Sequence, residues 1–346
     1  MTTAGVIAVA NLDARIDGQV SRAARSRITV DERVEQVELI ALRGHVLGCI
    51  ADSERAAAIA DELVDELPTD ARALLARARM RGVFHRFVPA LADLERAAAS
   101  GGDRAALDAE RAAIYQALGR YDEALAIRRQ AAERRNFSEL AALAGVYGER
   151  GELNDAERWF SAATRSYRGT SPFPLAMLEL QRGRLWTRHD DLPRARVWCD
   201  AAVRRLPAYV PAQGHLAEVD AALGDTAAAI ARLRPLALAS DDPDYATQLA
   251  RILGDVGETG EAQSWRTTAE ARYDELLVRH RDAFADHAAE FWLTIGGDPE
   301  RALRLALHNL SVRQTPRARA LVQDAASLAR AAGQSASCHG VAKVAG

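Results

Sequence analysis

Lysine is almost absent from this chain: one residue, Lys343, leaves 44 of the 45 basic residues as arginine. A GC-rich genome produces that bias by codon choice. The alternative, a surface chosen for bidentate carboxylate contacts, needs positional support. Cysteine is nearly as scarce. Cys49, Cys199 and Cys338 are widely spaced and form no Cys-x-x-Cys pair, which argues against a disulfide framework and fits a reducing compartment. Aromatic residues are only 5% of the chain, against 49% hydrophobic residues overall. A core built mainly of Ala and Leu suits closely packed helices better than a β-sandwich.

No uninterrupted apolar run approaches the ~20 residues of a membrane helix. The opening MTTAGVIAVAN ends its apolar run in Ala-x-Ala but has no basic region before it, so it does not read as a signal peptide. With a formal net charge of −3 there is no global field drawing the chain to nucleic acid or anionic lipid. The expectation is a soluble, cytoplasmic protein with neither nucleic acid nor membrane as partner. Phosphate-binding glycine loops, dinucleotide fingerprints and nucleophile elbows are all missing. No enzyme and no cofactor are expected.

What the sequence does contain is a repeated spacing. In LGRYDEALAIRRQAA (118–132) a turn glycine, Gly119, precedes Ala124 by five residues. The same step links Gly151 to Ala156, Asp190 to Ala195, Gly224 to Ala229, Gly257 to Ala262 and Gly297 to Ala302; His85/Ala90 and Asp52/Ala57 fit it without glycine. Successive alanines lie 33, 34, 32, 39, 34, 33 and 40 residues apart. A turn residue with unusual backbone geometry, followed by a small residue where two helices cross, is what a helical hairpin requires. A second small residue recurs seven positions on, at Ala97, Ala131, Ala163, Ala202 and Ala269, giving a packing stripe on one helix face. Each hairpin leaves an apolar face that only its neighbour can cover.

These units resemble tetratricopeptide repeats, a family with a period of about 34 residues. That family's small residue followed by an aromatic three places on matches at Ala112/Tyr115, Ala144/Tyr147 and Gly183/Trp186, and its closing proline at Pro207 and nearly at Pro68. The aromatic is lost at Gly48, Arg81, Asp220, Leu253 and Leu293, so the repeats are degenerate. The resemblance implies an all-α, right-handed superhelical solenoid of about eight hairpins over 33–313. A tail or short helix carrying Leu12, Ile16 and Val20 (1–32) precedes it, and a capping helix or partial ninth repeat (314–346) with a frayed tail follows. Pro174, Pro211, Pro243 and Pro316 stand where first helices should begin, with Asp242 and Thr315 as N-caps. RGTSPFP (168–174) reads as a loop insertion, and 267–292 as lengthened helices.

The resemblance also implies a function, a protein-interaction scaffold whose first helices line a concave groove. Carried onto this chain, the family's groove positions fall on Arg72, Arg79, Gln116, Arg184, Arg188, Glu218, Arg251, Asp255 and His287, with Ala109, Ala113, Ala141, Gly145, Glu149, Thr247 and Phe291 between them. The Lys/Asn clamp of chaperone-binding members is replaced by Ala109, Ala113, Ala141 and Gly145. The arginines suit a protein or peptide partner carrying Asp or Glu. Two other readings compete: a sensory module holding a peptide or small molecule, and a metal-dependent protein using His280, Asp282, Asp286, His287 and Glu290. For that last segment the expectation is a solvated charged face, because no matching pair on a second helix is apparent. His45 and Cys49, and the terminal Cys338 and His339, read as packing and tail residues.

Overall fold

In a computed structural model, residues 2–23, 25 and 28–342 are described, the side chains of 333–342 excepted; Cys338 and His339 therefore lie outside the described side chains. The elements are helices α1 (Gly5–Ala23), α2 (Val30–Leu47), α3 (Ile50–Glu66), α4 (Ala71–Val83), α5 (Phe87–Ala99), α6 (Arg104–Leu118), α7 (Tyr121–Ala132), α8 (Phe137–Glu149), α9 (Leu153–Ser166), α10 (Phe173–Thr187), α11 (Leu192–Arg205), α12 (Val210–Ala222), α13 (Thr226–Ala239), α14 (Pro243–Asp255), α15 (Thr259–Leu293), α16 (Pro299–Val312) and α17 (Pro316–Ala342). No strand occurs among the described residues. His280 (φ −140°, ψ 50°) breaks α15 into two rods, so its first half pairs with α14 and its second half with α16.

Local sequence accounts for the boundaries. Thr29 and Glu32 form a capping box on α2, and Asp70, Asp103, Asn136 and Asp242 cap α4, α6, α8 and α14 through first-turn amides. Pro243 and Pro316 open α14 and α17, while Pro174 and Pro211 sit one residue inside α10 and α12. Between the helices of a pair the chain turns on a left-handed residue: Gly119, Gly151, Gly224, Gly257 and Gly297, with His85 and Asp190 in the same conformation. His85 and Asp190 hold φ values of 54° and 56°, so these turns tolerate a side chain at some backbone strain.

Ala90, Ala124, Ala156, Ala195, Ala229 and Ala302 are fully buried, as are Ala97, Ala163, Ala202 and Ala269 of the second stripe. The first pair departs from the expected register. Its left-handed turn residue is Gly48 (φ 59°), while Asp52 lies within α3, where its carboxylate takes two bonds from Arg43 at 2.7 and 2.8 Å. Ala56 is buried where Ala57 was expected, and Gly44 of α2 has no room for a Cβ against Cys49, Asp52 and Ser53 at the start of α3. The helix break comes early here because Gly48 ends α2 before the usual turn position. Cys49 consequently lies beyond α2 and shares no helix face with His45.

Contacts between alternate helices (α2 with α4, α4 with α6, α8 with α10, α10 with α12, α12 with α14) make the first helices one inner layer, with the second helices outside. The solenoid also closes on itself. Loops of the early pairs sit on loops five to six pairs later, in regular succession. The Thr3 amide donates to the Thr170 carbonyl (2.7 Å), and Gly5 packs against the backbone of Arg205 and Leu206. Ser240 Oγ donates to the Gly48 carbonyl. The Asp241 carboxylate accepts from the Ile50 and Ala51 amides (2.6 and 2.9 Å). Phe84 stacks on His280 (4.0 Å between centroids), and His85 Nδ1 donates to the Asp282 carbonyl (3.0 Å). The Gln314 amide donates to the Leu118 carbonyl (3.0 Å) beside Gly119. One coil of the superhelix is thereby seated on the next, and the inner faces of the first helices surround a lumen.

Candidate binding lumen

α10 and α12 bring the central polar chain of the lumen together. Arg184 Nε donates to His215 Nε2 (2.6 Å), and His215 Nδ1 donates to Glu218 (3.1 Å), so the imidazole is held as the neutral Nδ1–H form. Burial, then the Arg184 charge, pushes the His215 pKa down; the His215 hydrogen bond holds the Glu218 carboxyl below its ordinary value. From α2, His45 reaches across the seam to the Tyr209 hydroxyl (2.9 Å). Part of His45 meets the water of the lumen, yet protein encircles the ring. That burial and the facing Arg184 guanidinium bring its pKa down to about 4.

Further along, Arg251 pairs with Asp255 one turn on (3.7 Å), both of them exposed. Asp242, the cap of α14, is pushed up to about 6 by burial and by neighbouring Asp244. The His287 pKa is raised too, by adjacent Asp286 against the cost of burial. The segment 280–290 does not form the solvated charged face expected of it. Asp286 is buried against Arg313 (3.2 Å), His280 donates to Glu54 (2.8 Å), His308 bonds Asp282 (2.7 Å) and Glu290 accepts from Arg317 (2.7 Å). The break at His280 turns this helix inward, which no local spacing signals. Among the described residues no group of three or more His, Cys, Asp and Glu is arranged around a common metal position.

Arg188 extends from the end of α10 to Glu149 of α8 (2.7 Å), and both line a cavity of about 510 Å³ with Gln116, Tyr121, Arg313 and Arg317. Arg79 lies between Glu38 and Glu110, linking three successive first helices. Arg72 is the outlier of the expected set, held at the start of α4 by Asp70 and Asp31 (both 2.7 Å) and well exposed. Sequence reasoning missed His45, His215, Arg313 and Arg317 as inward groups. His215 lies three residues before Glu218 and could have been found from helical spacing. The others depend on the closure of the coils.

Comparison with known proteins gives fold information. No family model matches the chain, and no curated protein matches it. Among solved structures it is similar to a chain in the crystal structure of the APC/C hetero-tetramer Cut9–Hcn1. The two share 14% identity with a TM-score of 0.51, over 90% of this chain and 58% of that one, so the chain spans less than two thirds of that neighbour. No helix among the described residues is long and apolar enough to cross a membrane. Among the described residues, seventeen helices packed in sequence and no strand, together with this likeness, make the fold an all-α, tetratricopeptide-like solenoid.

Proposed function

We propose that this protein is an interaction scaffold that takes an acidic polypeptide segment against the inner faces of its first helices, without bond chemistry. The observation that carries the reading is the lumen wall. Arg184 and Arg188 come from one first helix and Arg251 from the first helix two pairs on, all three with exposed side chains, while Ala113, Ala141 and Gly145 keep the adjoining wall of α6 and α8 small. Guanidinium groups spaced along an open surface suit Asp and Glu side chains at intervals on a bound chain. Seating of one coil on the next favours a second reading beside it: a short peptide or small molecule fits an encircled lumen more readily than a folded domain does, as a sensory module would require.

A pulldown from the native host tests the first reading. Arg184→Glu/Arg251→Glu should lose the partner, with binding that weakens as salt is added. Arg158→Glu/Arg204→Glu, on the outer helices α9 and α11 where both arginines are well exposed, should keep it. Arg128 and Arg129 would be poor controls, because Arg128 is buried and donates to the Ala109 carbonyl (2.8 Å). Equal capture by both double variants would send the search to the outer surface.

A further inference from the structure

Beside the inner wall lies a cavity whose charged groups, Arg188 apart, the scaffold reading leaves unused. The 510 Å³ cavity there is bounded by the last turns of α6, α8 and α10 and by the first turn of α17. Three guanidinium groups line it, on Arg188, Arg313 and Arg317, against one carboxylate, Glu149. The lining charges are +3 and −1, and Asp286 and Glu290 behind Arg313 and Arg317 offset two of the positive charges from outside the cavity. Each guanidinium is anchored from behind with donors to spare. Arg188 gives Nη1 to Glu149; Arg313 gives Nε to the Ala117 carbonyl and Nη1 to Asp286; Arg317 gives Nε and Nη2 to Glu290. Among the described residues, Arg188 Nε and Nη2, Arg313 Nη2 and Arg317 Nη1 have no acceptor. Tyr121 also lines the space, and the charges of Glu149, Arg188, Arg313 and Arg319 all act on its hydroxyl.

We propose that this cavity is a subsite for a phosphoryl dianion. A carboxylate carries one charge on two oxygens that lie in one plane. A phosphoryl group carries close to two charges on three terminal oxygens and can accept from all three arginines at once. The anchoring carboxylates fix the guanidinium directions before the anion arrives, so little side-chain freedom is lost on binding. Small residues on α6 and α8 leave the space open at the wall opposite α17.

The test uses the full chain and needs no protein partner, so its failure leaves the scaffold reading standing, and the reverse holds too. Calorimetric titration with inorganic phosphate at fixed ionic strength should show saturable, one-to-one binding, with acetate roughly tenfold weaker or more. Arg188→Gln/Arg317→Gln, checked by circular dichroism to be folded, should weaken phosphate by at least about tenfold. Glu149→Gln, which removes the one negative lining charge, should tighten it. A phosphoserine peptide that binds much more tightly than free phosphate assigns the group to a polypeptide; equal affinity assigns it to a small molecule. Absence of saturable phosphate binding, unchanged affinity in the double variant, or weaker binding by Glu149→Gln would overturn the subsite.

Discussion

The contacts inside a helical pair and the contacts between coils are built from different materials. Within a pair, Ala156 of α9 joins Ala144 and Leu143 of α8 in one apolar cluster with Phe160, and close approach of the helix axes is all that is needed. Between coils the contacts are loop on loop: a carboxylate on two amides, a serine on a carbonyl, histidines on a carbonyl and a carboxylate. Apolar contacts accompany them: Val46 with Leu42 and Leu47 groups with Leu180 and Tyr209, Phe173 packs on the Leu12–Ile40 cluster, Val312 on the Leu74–Leu107 cluster, and Phe84 stacks on His280. Burial of small side chains repeats every thirty-odd residues and builds the rod. Polar contacts at separations of 164 to 226 residues then choose its curvature and close it.

Two glycines in the same kind of turn break the comparison most sharply. Gly119 and Gly151 both have positive φ, 84° and 76°. A Cβ on Gly151 meets open space, whereas one on Gly119 would lie 2.8 Å from the Gln314 carbonyl oxygen and 3.1 Å from the Thr315 amide nitrogen. Gly151→Ala should cost roughly 1–2 kcal/mol of left-handed strain. Gly119→Ala should cost that plus roughly 1–3 kcal/mol for forcing the coils apart. Urea denaturation of the two variants measures the difference, and equal losses would mean that the coils do not meet there.

Ala156→Leu tests the other material. It overpacks the α8–α9 crossing and should destabilise by roughly 1–3 kcal/mol while leaving the seam amides protected. An unchanged thermal midpoint would mean that the alanine register is not a crossing point.

A smaller effect comes with pH. His45 is held neutral in the closed fold, with its pKa lowered from 6.5 to about 4, so the unfolded chain binds more protons in that interval. The stability from this group is fully present above 6.5 and falls away progressively down to about 4. Asp242, raised from 3.8 to about 6, works in the opposite sense over much of the same range, so the whole-protein slope mixes the two. His45→Gln should therefore lose less stability than the parent chain between about pH 7 and pH 5. A steeper loss in the variant would contradict the placement of His45.

How much of this could be read beforehand follows from the same division. Ala124, Ala195 and Ala229 announce the hairpins because a packing need recurring at every pair leaves a periodic trace. Asp242 and Thr315 announce caps through local chemistry. The misplaced first pair has a local cause too: Gly48 ends α2 early, and Asp52 with Ala57 imitates the step one residue out of register. Nothing local announces that Asp241 will serve helix α3, or that His280 will break a long helix and carry Asp286 inward. Those depend on how far the superhelix turns per pair, a sum of small angles that no single spacing encodes. Arg184, Arg188 and Gln116 were reachable by family register, whereas Arg313 and Arg317 enter the lumen wall only because the coils meet.

Closure of the coils is the central claim, and amide exchange at the start of α3 tests it most directly. Cys49 gives α3 no side-chain cap, and Arg120 gives none to α7. The Ile50 and Ala51 amides nevertheless have an acceptor in Asp241, from the far coil, which the first-turn amides of Tyr121 and Asp122 lack. Residue-resolved exchange in the intact protein should show Ile50 and Ala51 protected well beyond Tyr121 and Asp122, with the protection abolished in Asp241→Ala. Exchange at Ile50 and Ala51 as fast as at Tyr121 and Asp122 in the unmodified chain would contradict the closed superhelix.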